Sequence, residues 1–230
     1  KLRKLFKVNK IDGYIIPKND EFFGSYTSKE KDRLNYISNF SGSYGFALIL
    51  KNINYLFVDG RYTLQAKAES GNFFKIKMIP KDLPKYIIKN KIYKIGYDPR
   101  LFTSKILFNL FEKSNCKLIP ITTNLIDKIR NTKQHTNIKK FYSLPDKSVG
   151  YSFQKKIKKV VGEIKKSGAD LQFISSCENS AWLLNIRGED SLYSPIPHCY
   201  ILLERNYNIN FFCDLKKISP ILKKKYKKIN

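Results

Sequence analysis

The first residues of the chain alternate apolar and basic positions at helical spacing. Leu2, Leu5 and Phe6 fall on one side of a helix, and lysines surround the other side. An Asp-Gly pair then marks a turn, and the apolar run from Tyr14 to Pro17 predicts a short buried strand. We therefore expect a helix and a strand, followed by a polar connection that contains a short helical stretch.

Two further apolar runs, Phe46 to Leu50 and Tyr55 to Asp59, are separated by Asn52-Ile53-Asn54 and predict a β-hairpin. Because a hairpin joins antiparallel strands, the sheet cannot be wholly parallel. Helical and strand-like segments alternate after the hairpin, which predicts a mixed α/β domain over residues 1–130. The expected helices lie at 63–70, 83–90 and 104–114, and the expected strands at 73–80, 94–98 and 116–121.

Residues 131–148 are polar and Lys-rich and contain a proline, which is typical of a linker. Helical spacing then returns, with lysines on the wet face and Gly168 as the C-terminal cap. The apolar face of this helix consists of Ile157, Val160, Val161 and Ile164. A strand at 171–176, a short helix at 178–186 and a hairpin of 199–204 with 209–215 are expected next. Since both parts show helix, strand, connection, hairpin and helix in one order, we predict a related second domain over 131–230.

The formal net charge is +25, with 44 Lys and Arg against 19 Asp and Glu. Such a charge raises nucleic acid or an anionic membrane as partners. A polyanion site concentrates its basic residues on one element, whereas these lysines are spread along the whole chain. Even the Lys-dense tail keeps apolar residues in helical register, at Ile221, Leu222, Tyr226 and Ile229. Nucleic-acid binding is therefore an alternative and not the main interpretation.

The cysteines and histidines limit the possible metal and redox chemistry. The cysteines are Cys116, Cys177, Cys199 and Cys213. Their spacing matches neither a CxxC pair nor a zinc knuckle, and His135 and His198 lack the spacing that aims two imidazoles at one ion. We expect no metal within this chain, reduced thiols and a cytoplasmic setting. No apolar run reaches the ~18 residues that span a bilayer, so no membrane partner is expected.

Two segments each place an arginine just beyond an element. DGRY carries Arg61 past the end of a strand, and NIRGED carries Arg187 past the end of a helix. Strand ends often border a cleft, so Arg61 is our candidate for contact with a substrate. The alternative for both is a structural arginine bonded to a carbonyl or carboxylate.

No residue of the chain is predicted to be catalytic. The motifs GxSxG, GxGxxG and the Walker loop are absent from the sequence. Capping explains most of the carboxylates as well as acid/base chemistry does, because they stand at strand ends, turns or helix starts. They are Asp20, Glu21, Asp32, Asp59, Asp98, Asp127 and Glu178.

Six blocks in order give the chain a specific resemblance to the N-terminal portion of Xaa-Pro aminopeptidases, in the creatinase/prolidase group. They are IDGYIIPKNDE, RLNYISNFSGSYGFALIL, FVDGRYTLQA, IGYDPRLFT, NLIDKIR and AWLLNIRGEDSLYSPIPHCYILL. The chain departs from the family pattern at three positions. Phe22 and Ser25 stand where the family commonly has His and Glu, and Arg130 stands where it frequently has Trp.

The resemblance implies two creatinase N-terminal-like domains, each a mixed β-sheet flanked by helices, with the second incomplete at its C-terminal end. It implies a parent hydrolase, a metallo-aminopeptidase that removes the first residue from peptides with proline in second position. The two divalent metal ions, manganese, would belong to a catalytic domain outside this chain, which would be inactive alone. The implied partners are that domain, proline-containing peptides and a second subunit in a homodimer, with these domains shaping active-site access and oligomer contacts.

Two other classes of function stay open beside the peptidase. The same fold also serves as a protein-interaction module, so the chain could be a stand-alone module of that kind. The other class is a basic nucleic-acid-binding protein, which the net charge suggests.

Overall fold

The computed structural model describes residues 1–24, 26–88, 92–130, 138–191 and 193–226. They form two compact units. The first unit comprises Lys1–Glu21 and Lys29–Gln134, and the second comprises Phe22–Ser28 and His135–Asn230. No helix in the described part of the chain is long and apolar enough to cross a membrane.

The first unit alternates helices and strands, in close agreement with the apolar pattern. Its helices are α1 (Leu2–Val8), α2 (Arg33–Ser38), α3 (Thr63–Ser70), α4 (Pro84–Ile87), α5 (Ser104–Phe111) and α6 (Leu125–Arg130). Its strands are β1 (Gly13–Pro17), β2 (Gly45–Leu50), β3 (Asn54–Asp59), β4 (Lys75–Ile79), β5 (Lys94–Tyr97) and β6 (Lys117–Pro120). The predicted helix at 63–70 matches α3 at both ends.

The strands of the first unit form one mixed sheet in the order β4-β3-β2-β1-β5-β6. Strand β2 is antiparallel to both β1 and β3, which confirms the predicted hairpin. The outer pairs β3·β4, β1·β5 and β5·β6 are parallel. The carboxyl ends of β1, β3, β4, β5 and β6 therefore lie along one edge of the sheet, where polar side chains can gather.

Apolar side chains leave this sheet on both faces, because alternate residues of a strand point to opposite sides. One face, with Tyr14, Ile16 and Leu56, packs against α1, α2 and α6. The other face, with Ile15 and Phe57, packs against residues of α5. Helix α5 buries Leu107, Leu110 and Phe111, whereas the side chain of Ile106 is exposed.

The second unit is built from shorter elements. Its helices are α7 (Phe153–Lys166), α8 (Cys177–Leu184) and α9 (Pro220–Lys225). Its strands are β7 (Tyr142–Ser143), β8 (Leu171–Ile174), β9 (Ile186–Arg187), β10 (Cys199–Glu204) and β11 (Ile209–Cys213). Strands β11, β10 and β8 form an antiparallel sheet in that order, and β7 pairs with β9.

Helix α7 packs its predicted apolar face into the core of the second unit, with Val161 fully buried. Gly168 follows the helix at φ +71°, in the left-handed region that favours glycine. The apolar register predicted for the Lys-dense tail is confirmed at Leu222 in α9 and at Tyr226 just after it, since both lie in the core of the second unit. Ile221 departs from the predicted register because its side chain is exposed, and Ile229 lies outside the described residues.

The linker prediction is wrong for the described residues 138–148. Phe141 is 1% exposed and lies in the core of the second unit, because its ring packs beside Gly188 and Phe211. The next two residues form strand β7. Nothing in the sequence signals this buried residue, because the few apolar residues around it follow neither a helical nor a strand period among the lysines and polar residues. The other part of the predicted linker, residues 131–137, lies outside the described residues.

The two units share a local topology. The order β3-β2-β1 in the first corresponds to β11-β10-β8 in the second, and all of these neighbours are antiparallel. The short helices α2 and α8 both end at an asparagine in the left-handed conformation, Asn39 and Asn185. In each case a glycine follows three positions later, Gly42 or Gly188, and packs against an aromatic ring.

Candidate functional site

Arg61 lies at the carboxyl edge of the first unit's sheet, directly after β3. The Asp59 carboxylate ends the strand and accepts hydrogen bonds from the Arg61 backbone N–H at 2.9 Å and from Nη2 at 2.6 Å. The hydrogen bonds from Arg61 hold the pKa of Asp59 below its usual value. The Arg61 side chain is nevertheless 75% exposed, and its guanidinium lies over the Tyr62 ring. The arginine is thus oriented by its own turn and open to solvent.

Arg100 repeats this arrangement after β5 and was not among the predicted site residues. Asp98 accepts from the Arg100 backbone N–H at 3.0 Å and from Nη2 at 2.7 Å. Asp98 is buried, and it also accepts from Asn124 Nδ2 at 3.0 Å. The shared signal is Asp-X-Arg immediately after a strand. Arg61 and Arg100 therefore stand on the same edge of one sheet. They follow β3 and β5, and two strands, β2 and β1, lie between these.

A buried arginine lies between two carboxylates at the same edge. Arg33, in the first turn of α2, has a side chain only 3% exposed. Its Nη2 donates to Glu21 Oε1 at 2.8 Å and to Asp127 Oδ2 at 2.8 Å, and its Nε donates to Asp127 Oδ1 at 2.9 Å. Lys31 adds a second cation 3.1 Å from Glu21. We call Glu21, Lys31, Arg33 and Asp127 the Arg33 cluster.

The electrostatics of the Arg33 cluster follow from its charges. Burial alone would raise the pKa of Glu21, but the charges of Arg33 and Lys31 and hydrogen bonds outweigh it and hold the pKa at about 2. Burial would likewise lower the pKa of Arg33, and the two carboxylates raise it instead. Glu21 and Arg33 are therefore both charged near neutral pH, and this pair offers neither a general acid nor a general base.

Two of the other candidate carboxylates, Asp32 and Asp59, act as caps. Asp32 accepts from Asn35 N at the start of α2, and Asp59 caps the turn that follows β3. Capping was therefore the right interpretation there. It fails for Glu21 and Asp127, because the partner that makes them an ion-pair cluster is distant in sequence.

In the second unit, Arg187 follows the structural alternative. Its Nη1 donates to the carbonyl oxygens of Ala181 and Ile186, at 3.3 and 2.8 Å. Lys156 approaches the same helix end, where its Nζ donates to Trp182 O at 2.8 Å and lies 4.7 Å from the Trp182 ring. Both cations thus cap the carboxyl end of α8, where the helix dipole is negative. The prediction that the lysines of α7 lie on its solvent-exposed face is wrong for Lys156, because this residue is only 7% exposed.

The described residues contain no group of three His, Cys, Asp or Glu that could hold a metal ion. The His198 ring stacks on Phe22 at 4.2 Å between centroids, and Phe22 also stacks on Tyr200 at 5.2 Å. Phe22 therefore makes an aromatic contact at the position where the family that the chain resembles commonly has a histidine. His135 lies outside the described residues.

The fold defines a class of protein: α/β domains with a mixed sheet between helices, carrying capping and ion-pair networks at the strand ends. Residues 1–132 match the family model described as creatinase/prolidase N-terminal domain, and residues 132–230 match a second model of the same description. The chain belongs to the creatinase/prolidase N-terminal domain family.

The curated relatives it matches are aminopeptidases. Xaa-Pro aminopeptidase 1 of Dictyostelium discoideum is 33% identical over 236 residues, which covers 95% of this chain and 38% of the relative. Aminopeptidase P1 of Lotus japonicus is 30% identical over 220 residues, or 93% of this chain and 33% of the relative. The chain thus spans 33–38% of the length of these relatives.

A solved structure shows the same fold. The cytosolic X-prolyl aminopeptidase of Caenorhabditis elegans, an enzyme with a di-nuclear active site, superposes with a TM-score of 0.89. The match covers all of this chain and 40% of the enzyme at 24% identity. The predicted fold class, two creatinase N-terminal-like α/β domains, is confirmed.

Proposed function

We propose that this chain forms the N-terminal, non-catalytic domains of a cytoplasmic metallo-aminopeptidase. The intact protein would remove the first residue from peptides with proline in second position and would act as a homodimer. The observation that carries the proposal is the match of nearly the whole chain to Xaa-Pro aminopeptidases, together with two family models. The domain boundary near residue 130 is part of the same proposal.

The metals of such an enzyme do not fit the described residues of this chain. No three candidate ligands converge among them, and a two-metal site needs a clamp of several. We therefore derive no metal-dependent step from these domains and place both ions, manganese in this proposal, in a separate catalytic domain.

Assay of the intact protein tests the assignment: release of the first residue from an Xaa-Pro peptide is expected, and this chain alone should release none. An intact, folded protein that cleaves no such peptide would contradict the proposal.

Arg61 is the residue proposed to contact the substrate. Its guanidinium is exposed and held by Asp59, so little conformational entropy is lost when it binds a carboxylate or carbonyl. In the intact enzyme, Arg61→Ala should lower kcat/KM about tenfold, as for loss of one charge-assisted hydrogen bond. The melting temperature should hardly move, because the side chain is exposed.

Arg205→Ala is the matched control for Arg61→Ala, since Arg205 is also exposed and paired with an aspartate, Asp170. It should leave kcat/KM unchanged. Equal kcat/KM for Arg61→Ala and wild type across peptide lengths would exclude the substrate role and leave the peptidase assignment intact.

The second unit presents an apolar sheet face that supports a further part of the proposal. Leu171, Phe173 and Phe212 lie on the face of β8-β10-β11 opposite to the core, and each is about half exposed. The corresponding face of the first unit is covered by α5. Strand β1 pairs with β5 in parallel there, whereas β8 pairs only with β10 among the described residues. We propose that the intact protein completes this domain with a parallel strand beside β8 and a helix over this face.

Hydrogen exchange tests this completion. Backbone amides of β8 should exchange at least tenfold more slowly in the intact protein than in residues 1–230, because an added strand protects edge amides. The amides of β2, which is central in its own sheet, are the internal control and should exchange equally in both. Equal exchange of β8 would contradict the completion and would favour the alternative, an interaction module whose open sheet edge binds other proteins.

A further inference from the structure

Three of the four cysteines of the chain gather in the second unit. Cys199 begins β10 and Cys213 ends β11, and the two are direct cross-strand partners. Cys177, at the start of α8, lies beside them and donates from Sγ to the Cys199 carbonyl oxygen at 3.5 Å. Two cysteines that face each other across a hairpin can form a disulfide when their Cα separation is suitable. The strand register sets that separation.

The register places Cys199 and Cys213 in a non-hydrogen-bonded pair. The Glu204 N–H donates to Asn208 O at 2.9 Å, which makes Glu204 and Asn208 a hydrogen-bonded pair. The two kinds of pair alternate along antiparallel strands, and Cys199 lies five positions before Glu204 in an uninterrupted register. The Cα atoms of a non-hydrogen-bonded pair are ~4.5 Å apart. That separation falls within the range of disulfides, which is about 4.4–6.8 Å.

The two thiols differ in access. Cys199 is fully buried in the core, and Cys213 is partly exposed. Burial raises the pKa of Cys213 to about 11 and raises that of Cys199 further. Thiolate formation is therefore rare near neutral pH, and a reagent from solvent meets Cys213 first.

We propose that Cys199 and Cys213 form a redox modification site, which closes to a cross-strand disulfide on exposure to a low-molecular-weight disulfide. The Cys213 thiolate attacks one sulfur of the reagent and forms a mixed disulfide, and the first reagent thiolate leaves. The deprotonated Cys199 sulfur then attacks the Cys213 sulfur, and the second reagent thiolate leaves. Two protein thiols are thereby oxidised, and one reagent disulfide is reduced to two thiols. The product ties β10 to β11 across the hairpin.

The test treats the native intact protein with oxidised glutathione at pH 8.5, followed by blocking of thiols, digestion without reduction and mass spectrometry. We expect a peptide pair joined through Cys199 and Cys213, and a melting temperature higher by on the order of 5 °C. Both should disappear on reduction. A faster reaction at higher pH is also expected, because the attacking group is a thiolate.

The variants separate this site from the other thiols. Cys213→Ser and Cys199→Ala should each abolish the cross-link, and Cys116→Ser, in the first unit, should leave it unchanged. The wild-type digest needs no variant and decides the matter alone. The proposal is overturned by glutathione retained on Cys213 without a cross-link, by a Cys177–Cys199 link instead, or by absence of any reaction in the second unit.

Discussion

Arg33→Met should lower the free energy of unfolding of the first unit by about 3–5 kcal/mol, as for removal of one partner from a buried ion pair. The methionine replaces the volume of the arginine stem but leaves two carboxylates, Glu21 and Asp127, without their shared cation. Glu21 is the more affected of the two because its side chain is 15% exposed, against 40% for Asp127. Lys31 remains beside Glu21 and compensates only in part.

Urea unfolding, followed by a probe in the first unit, measures this loss. Lys51→Met is the matched control, since Lys51 pairs with Asp12 but is 66% exposed. It should cost no more than about 1 kcal/mol. Equal effects of the two substitutions would show that the Arg33 cluster does not stabilise the fold.

The Arg33 cluster also predicts a pH dependence. The pKa of Glu21 in the folded protein, about 2, lies below its ordinary value of 4.5. Its contribution to stability is therefore complete above pH 4.5 and is lost as the pH falls towards 2. It amounts to roughly 3 kcal/mol. In Arg33→Met the stability should vary less over this pH range, and an unchanged slope would contradict the assignment.

Gly188→Ala should destabilise the second unit by about 3 kcal/mol. A Cβ at this position would lie 2.8 Å from the Cα of Pro197 and 2.8 Å from the Phe141 ring. The first of these is a backbone atom and the second belongs to a fully buried side chain, so neither neighbour can move cheaply. Overpacking of this kind typically costs 1–3 kcal/mol, and occasionally more.

Gly162→Ala makes the same exchange in the same unit and should have the opposite effect. Gly162 lies within α7, and no atom beyond its chain neighbours and the adjacent backbone of its own helix lies within 4 Å of the position that its Cβ would occupy. Alanine is favoured over glycine in a helix interior by roughly 1 kcal/mol. Thermal unfolding of the two variants should therefore move the melting temperature in opposite directions. A Gly188→Ala variant as stable as wild type would show that the close packing at Phe141 can relax.

Most of the helices and strands could be predicted from the sequence, because they depend on apolar spacing and turn residues within a short segment of the chain. The hairpin β2–β3 and helix α3 follow from apolar runs and turn residues. The amphipathic face of α7 was likewise visible from spacing alone. Arg61 was correctly placed after a strand, because its turn, Asp-Gly-Arg, is complete within three residues.

Contacts between distant residues could not be predicted in this way. Arg33 and Asp127 are 94 positions apart, and nothing near either of them signals the other. Lys156 was predicted to be solvated, because a lysine among lysines gives no sign that one of them caps another helix. Phe141 was missed for the same reason, since its partners come from later strands. In each case the deciding neighbour is set by the fold and not by the local pattern.

The two units are not separated by a single cut of the chain. Phe22–Ser28 belongs by its contacts to the second unit, although residues on both sides of it belong to the first. The chain therefore passes between the units three times, and a single cut near residue 130 does not separate them cleanly. The upstream half would carry Phe22 without His198 and Tyr200, and the downstream half would lose the ring that stacks on them. The two units are therefore best expressed together.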